Sequence, residues 1–120
     1  QSKKLNFLKP FGFFEYCKLQ QNAFCVISDS GTIFEEASIL NFPAVTVRES
    51  HERMEGIDAG VVTIAADDDI NLIDSIRISR EIKKSKILKV NEYHKTGVSE
   101  KIVNLVQSYI PIVNKKIWKK

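Results

Sequence analysis

Residues 28–32, Ser-Asp-Ser-Gly-Thr, have the composition of a loop that binds an anion. They follow the apolar run at residues 24–27 and precede a helical pattern. The first N–H groups of a helix lack intrahelical partners and attract phosphate, and the helix dipole adds roughly half a positive charge there. The hydroxyls of Ser30 and Thr32 add donors, and Gly31 lets an anion approach the backbone closely. The loop therefore predicts a phosphate site, with an ordinary strand-to-helix turn as the alternative.

Glu35 and Glu36 follow this loop, within the first turns of the same predicted helix. A carboxylate at that distance can accept hydrogen bonds from both hydroxyls of a ribose, and a hydrogen bond to a charged group contributes about 1.5–3 kcal/mol. The alternative role is stabilisation of the helix start by its dipole, which contributes about 0.3–1 kcal/mol. The pair thus adds a candidate ribose contact to the candidate phosphate site.

A second polar segment, residues 48–56, follows the next apolar run at residues 44–47. Ligands of open α/β sheets bind beyond the carboxyl ends of the strands, so the two polar segments should lie side by side. Arg48 and Arg53 supply planar, permanently charged donors that suit a diphosphate. A cluster of surface ion pairs is the alternative interpretation, and such pairs contribute little to stability.

The elements that must position these residues alternate between short apolar runs and helical patterns, which is typical of α/β units around a parallel sheet. Strands are predicted at residues 24–27, 44–47 and 61–65, and helices at residues 13–22, 32–40, 52–59 and 98–109 and after the aspartates at 67–69. In the helix that follows the aspartates, Ile70, Ile73 and Ile76 lie on one side. Pro111 should end the last helix. We therefore expect an α/β fold with a small, doubly wound parallel sheet.

The composition fits one soluble globular domain, with 120 residues of which 43% are hydrophobic and 28% are charged. This balance excludes a disordered chain, and no apolar run approaches the roughly 20 residues of a membrane span. The formal net charge is +3, but four lysines lie in the basic tail at residues 111–120. The only aromatic residue among these lysines is Trp118. We therefore expect no nucleic-acid partner and no membrane contact.

The cysteine and histidine patterns favour neither a disulfide framework nor a metal site. Cys17 and Cys25 are predicted to be free thiols of a cytoplasmic protein. His51 and His94 have no cysteine or histidine neighbour at metal-ligand spacing, so neither a metal nor a cofactor is expected. The chain begins with Gln1, and three strands are few for such a sheet, which favours a part of a larger protein.

Three motifs together resemble the non-hydrolysing UDP-N-acetylglucosamine 2-epimerase family. They are Asp-Ser-Gly-Thr-Ile-Phe-Glu-Glu at residues 29–36, Phe-Pro-Ala-Val at residues 42–45 and His-Glu-Arg-Met-Glu-Gly at residues 51–56. The likeness is strong over residues 10–60 and continues weakly towards residue 105. The His-Glu-Arg form is most similar to the branch that acts on 6-deoxy UDP-sugars, the UDP-N-acetyl-L-fucosamine synthases of bacterial capsule and O-antigen pathways.

The resemblance implies an enzyme with two Rossmann-like domains in a glycosyltransferase-B-like arrangement and a UDP-sugar in the cleft between them. Residues 1–120 resemble the last part of the second domain, so the expected partner is the N-terminal domain of the same enzyme, and a homodimer is a candidate assembly because the family tends to dimerise. The substrate-binding residues that the resemblance implies are Ser30, Gly31 and Thr32 at the diphosphate, Glu36 at the ribose hydroxyls, Arg53 at the phosphate and sugar, and Tyr16 against uracil.

The reaction that the resemblance implies is epimerisation at C2 of a UDP-N-acetylhexosamine, by elimination of UDP and its re-addition on the other face. The residues that catalyse these steps in the family lie in segments that this sequence does not contain, so no catalytic residue is expected here and the chain alone should be inactive. Thr32 replaces the second glycine of the family motif, so its backbone must avoid the left-handed conformation. The alternatives are a UDP-sugar glycosyltransferase of similar fold and a non-catalytic nucleotide-binding remnant.

Overall fold

Three parallel strands form the centre of the fold in the computed structural model, which describes residues 4–48, 50, 54–65, 69–85 and 88–119. Among these residues the strands are β1 Val26–Ser28, β2 Ala44–Thr46 and β3 Thr63–Ile64, and they lie in the order β1-β2-β3. Val26 pairs with Ala44 and Val45 pairs with Thr63, in parallel register. The predicted parallel sheet is confirmed, with strands shorter than the apolar runs that predicted them.

The helices of the described chain are α1 Phe13–Asn22, α2 Ile33–Leu40, α3 Met54–Asp58, α4 Asp69–Ser85 and α5 Val98–Val113, with a 3₁₀ turn at Asn91–His94 and a π-helical turn at Asn114–Trp118. Each α-helix lies where a helical pattern predicts one. α2 ends because Asn41 takes a left-handed conformation, with φ 56°, and its N–H bonds back to the Ala37 carbonyl oxygen at 3.1 Å.

The core lies on both sides of β2. The three residues of this strand have exposed fractions of 0%, 0% and 1%, in the order Ala44, Val45 and Thr46. Successive side chains of a strand point to opposite faces of the sheet, so helices cover both faces. Both α2 and α4 contact β2, and the doubly wound arrangement is confirmed.

α3 packs against α2 through a glycine. A Cβ atom on Gly56 would lie 2.7 Å from Cδ1 of Phe34, which is only 2% exposed. Any larger residue at this position would force the two helices apart, because packed interiors leave no room for an extra methyl group. Gly56 therefore sets the distance between α3 and α2, and with it the position of the chain that leads into α3.

Among the described side chains of α4, the buried ones are serines. Ile73 is 52% exposed, whereas Ser75 and Ser79 are 7% and 4% exposed. The Ser79 hydroxyl donates to the Ala44 carbonyl oxygen at 3.1 Å. Small serines let the helix lie close to β2, where the hydroxyl finds a backbone acceptor. The Ile70 side chain and the predicted cap at residues 67 and 68 lie outside the described residues.

The prediction that Pro111 ends the last helix is wrong. α5 runs to Val113 and continues as the π-helical turn through most of the predicted basic tail. The Asn114 N–H bonds to the carbonyl oxygens of both Ile110 and Pro111, so the backbone continues past a residue that has no N–H of its own. α5 has no buried residue. Within the part of the chain that the structure describes, no helix has the length and apolar character needed to span a membrane.

Candidate functional site

The predicted phosphate loop lies between the end of β1 and the first turn of α2. Its own hydroxyl groups set its shape, because the Ser30 N–H bonds to Ser28 Oγ at 3.0 Å and the Thr32 N–H bonds to Ser30 Oγ at 3.3 Å. Thr32 has φ −82° and ψ −3°, so its backbone avoids the left-handed conformation, as expected. Gly31 has no positive φ, and its contribution to the loop is therefore the absence of a side chain.

The carboxyl ends of β1 and β2 lie side by side. The Val47 N–H donates to the Ser28 carbonyl oxygen at 3.3 Å, and the Arg48 N–H donates to Thr46 Oγ1 at 3.3 Å. The second polar segment therefore begins beside the phosphate loop, as the topology predicts. Arg53, the predicted contact to the phosphate and sugar, lies outside the described residues.

Glu36 is the centre of a hydrogen-bond network that begins in the loop. Thr32 Oγ1 donates to Glu36 Oε1 at 2.7 Å and lies 2.9 Å from Ser30 Oγ. Because Thr32 has one hydroxyl hydrogen and donates it to Glu36, Ser30 is the donor in the second contact. Gln20 Nε2 of α1 donates to the other carboxylate oxygen, Glu36 Oε2. The carboxylate is thus joined both to the loop and to α1.

Tyr16 meets this network from α1. Partial burial raises the pKa of its phenol, and the negative charge of Glu36 and a hydrogen bond to Glu36 raise it further. A hydrogen bond from Gln20 acts in the opposite direction. The phenol therefore stays protonated beside the carboxylate, while its side chain remains 38% exposed. The structure brings together four of the predicted site residues, with Tyr16 and Glu36 in contact and Ser30 and Thr32 beside them.

A cavity of about 390 Å³ opens beside Tyr16 and Gln20. Its other walls are mostly apolar and include Phe11, Leu19, Ala23 and Val26. Cys25 also lines it, and burial raises the pKa of that thiol. Both Cys17 and Cys25 are free, as predicted. An aromatic ring beside an apolar wall suits a flat heterocycle with a few polar atoms.

Negative charge collects at the start of α2, where Glu35 and Glu36 lie in the first turn. A diphosphate bound beside them would need a nearby cation, and the predicted sources are Arg48, which is half-buried at the start of the second polar segment, and Arg53. Among the described residues, no cluster of three or more histidine, cysteine, aspartate or glutamate side chains could hold a metal ion.

Gln20 is the residue of this site that the sequence did not reveal. It is the buried residue of α1, at 3% exposure, although Phe13 and Phe14 of the same helix are 74% and 83% exposed. Glutamine is mostly an exposed residue, so burial is not its expected state. The available signal is spacing, because Gln20 follows Tyr16 by four residues and lies on the same helix face.

The comparisons with known proteins agree with one another. A profile of the UDP-N-acetylglucosamine 2-epimerase family matches residues 1–107. The chain is 33% identical over 84 residues to a UDP-N-acetylglucosamine 2-epimerase of Methanocaldococcus jannaschii, a match that covers 70% of this chain and 23% of the relative. It is 36% identical over 89 residues to a UDP-N-acetylglucosamine 2-epimerase of Methanococcus maripaludis, which covers 74% of this chain and 22% of the relative.

A solved structure gives a match over nearly the whole chain. The UDP-N-acetylglucosamine 2-epimerase of Rickettsia bellii aligns with 99% of this chain at a TM-score of 0.89 and 43% identity. The alignment covers 33% of that structure. The predicted α/β fold class is therefore confirmed, and the chain spans between 22% and 33% of the length of these relatives.

Proposed function

The chain belongs to the UDP-N-acetylglucosamine 2-epimerase family, and we propose that it forms the part of such an enzyme that binds the UDP group of the substrate. The observation that carries the proposal is the hydrogen-bond network from the loop after β1 to Glu36, with Tyr16 beside it. Along this part of the site, hydroxyl groups, a carboxylate and an aromatic ring follow one another in space. Diphosphate, ribose and base follow one another in the same order along UDP.

The diphosphate would bind at the loop after β1. The start of α2 supplies N–H groups and the positive end of the helix dipole, and Ser30 and Thr32 supply hydroxyl groups. A phosphate oxygen can replace the contacts of 3.0 and 3.3 Å inside the loop, because hydrogen bonds to an anion are stronger than those between neutral groups. Arg53, assigned from the sequence, would offset the negative charge of the diphosphate and of Glu36.

The ribose and the base would extend from the loop towards α1. Glu36 would accept hydrogen bonds from the ribose hydroxyls, since its two oxygens are already oriented by Thr32 and Gln20. Tyr16 would lie against uracil at the cavity of about 390 Å³. An aromatic contact and an apolar wall together would exclude water from one face of the base.

For the whole enzyme we propose epimerisation at C2 of a UDP-N-acetylhexosamine, by elimination and re-addition of UDP. This chain would hold UDP between the two steps, so that the leaving group remains oriented for its return. The groups that move protons would belong to the rest of the enzyme. Because residues 51–53 read His-Glu-Arg, we extend the proposal to 6-deoxy UDP-sugars made in the cytoplasm for bacterial capsule or O-antigen.

The proposed partner of this chain is the N-terminal domain of the same enzyme. The relatives are several times longer than the chain, and α5 has apolar residues that are 45–59% exposed. They are Val98, Ile102, Val103, Leu105, Val106, Tyr109, Ile110 and Ile112. An apolar helix face of this size needs a partner to be removed from water. A homodimer would be a second way to cover part of it.

The proposal can be tested by following amide chemical shifts while the chain is titrated with UDP, UMP and pyrophosphate. Saturable shifts at Ser30, Thr32 and Glu36 are expected with UDP. Arg53→Ala should weaken UDP binding by about tenfold, the loss of one charge-assisted contact. The matched control is Arg77→Ala, because Arg77 lies exposed on α4 in an ion pair with Asp74.

The outcomes separate the proposal from its alternatives. Equal affinity for UDP and pyrophosphate would indicate a general anion site in a non-catalytic remnant. A folded sample without saturable shifts would contradict the proposal that this chain binds UDP.

A further inference from the structure

Gln20 lies at the contact between α1 and α2. Its side chain is 3% exposed, and its amide nitrogen donates to Glu36 Oε2. The Tyr16 phenol lies close to the same side chain, which lowers the pKa of that phenol. Gln20 therefore lies beside the two predicted ligand contacts of the site, one on each helix.

The oxygen of this amide accepts no hydrogen bond from the described residues. Gln20 Oε1 is buried and unpartnered, and an unsatisfied buried acceptor lowers stability. A leucine or methionine would fill the same space without this cost. Packing alone therefore does not explain a glutamine here, whereas the contact between its nitrogen and Glu36 does.

The two oxygens of Glu36 are held by different donors. Thr32 takes one lone-pair site on Oε1, and Gln20 takes one on Oε2. A carboxylate offers about four such sites, so each oxygen retains one that can accept a further hydrogen bond. Tyr16 lies beside the carboxylate, and its 38% exposed side chain can yield to a ligand hydroxyl. The carboxylate is thus oriented and still able to accept two donors.

We propose that Gln20 is a positioning residue that fixes the carboxylate of Glu36 so that both oxygens face the two hydroxyls of a ribose. The proposal rests on the proposed function, since it deepens the assignment of Glu36. Without Gln20, the carboxylate would be tied only through Thr32 on its own helix and could rotate about its last torsion. Both ribose hydroxyls would then meet a badly oriented acceptor.

The test compares Gln20→Met with Gln21→Met. Methionine keeps the length and helix propensity of glutamine but has no donor, and Gln21 is an exposed neighbour on the same helix. Dissociation constants are measured for UDP, 2′-deoxyuridine diphosphate and pyrophosphate. Gln20→Met should weaken UDP binding by about tenfold and remove most of the preference for UDP over the deoxy analogue. Pyrophosphate binding should remain that of the unchanged chain, and Gln21→Met should change none of these affinities.

A Gln20→Met variant that keeps the full preference for UDP over 2′-deoxyuridine diphosphate would overturn the positioning role. A second measurement does not depend on ligand binding or on that variant. In the free chain, Glu36→Gln should shift the side-chain amide protons of Gln20 upfield, because a charged acceptor is lost. Unmoved amide signals would also overturn the proposal. Failure of the unchanged chain to prefer UDP over pyrophosphate would instead contradict the proposed function, and the amide shifts would still decide the role of Gln20.

Discussion

Replacing Glu36 with glutamine is expected to weaken UDP binding about 30-fold. Glu36 Oε1 accepts from Thr32 and Oε2 accepts from Gln20, so after the change one of these donors would face an NH₂ group. Each ribose hydroxyl would lose a charged acceptor, and its hydrogen bond would fall from about 1.5–3 to about 0.5–1.5 kcal/mol. Two such losses of about 1 kcal/mol each correspond to roughly a 30-fold change in Kd.

Isothermal titration calorimetry with UDP and pyrophosphate measures this effect directly. Pyrophosphate has no ribose, so its affinity for the Glu36→Gln variant should stay within about twofold of the original value. Glu100→Gln is the matched control, because Glu100 is an exposed glutamate in the first turn of α5. Equal losses of UDP and pyrophosphate binding, in a variant with an unchanged circular dichroism spectrum, would refute the ribose assignment.

Gly56→Ala should lower the melting temperature, because its Cβ would lie 2.7–2.9 Å from side-chain atoms of Phe34 and overpacking costs about 1–3 kcal/mol. The control in thermal unfolding is Gly12→Ala, whose Cβ would meet only the flexible end of a glutamate side chain. Equal melting temperatures for the two variants would disprove the close packing of α3 against α2. Burial and the carboxylate of Glu36 should keep the pKa of Tyr16 above its ordinary value of 10.0, and Glu36→Gln should lower it in an ultraviolet titration. Because the folded chain holds this proton more tightly, the stability from Tyr16 is present below pH 10 and is lost as the pH rises through the raised pKa. A Tyr16 pKa that does not change in Glu36→Gln would contradict the contact.

The order of the elements could be predicted from the sequence because each depends on residues that are close together in the chain. α1 Phe13–Asn22 lies at the predicted bounds, and α2 ends at Leu40, before the proline at residue 43 that marks its end in the sequence. Once the strands are parallel, the loops that follow them must meet at one edge. The neighbouring positions of the two polar segments therefore followed from topology, without any knowledge of side-chain contacts.

The features that the sequence analysis missed are contacts that local patterns do not determine. The apolar periodicity of α4 favours Ile73, yet the strand beneath the helix selects the small side chain of Ser79 and supplies an acceptor for its hydroxyl. Pro111 usually ends a helix, yet the Asn114 N–H shared between two carbonyl oxygens lets the backbone continue. Both outcomes depend on which partner a backbone group finds in space, and the residue type alone does not specify that partner.

The contact between α1 and α2 shows the same limit within the site itself. The sequence predicted Tyr16 and Glu36 from the chemistry of a nucleotide, each on its own helix. It did not predict that the two helices meet through a buried amide, with the apolar side chains of Phe13 and Phe14 left exposed. Because Gln20 both joins the helices and orients the carboxylate, a change at either residue of this pair alters the helix contact and the ligand contact together. Loss of UDP binding in one variant therefore cannot separate the two effects, whereas the preference for UDP over 2′-deoxyuridine diphosphate can, since these two ligands differ only at the ribose.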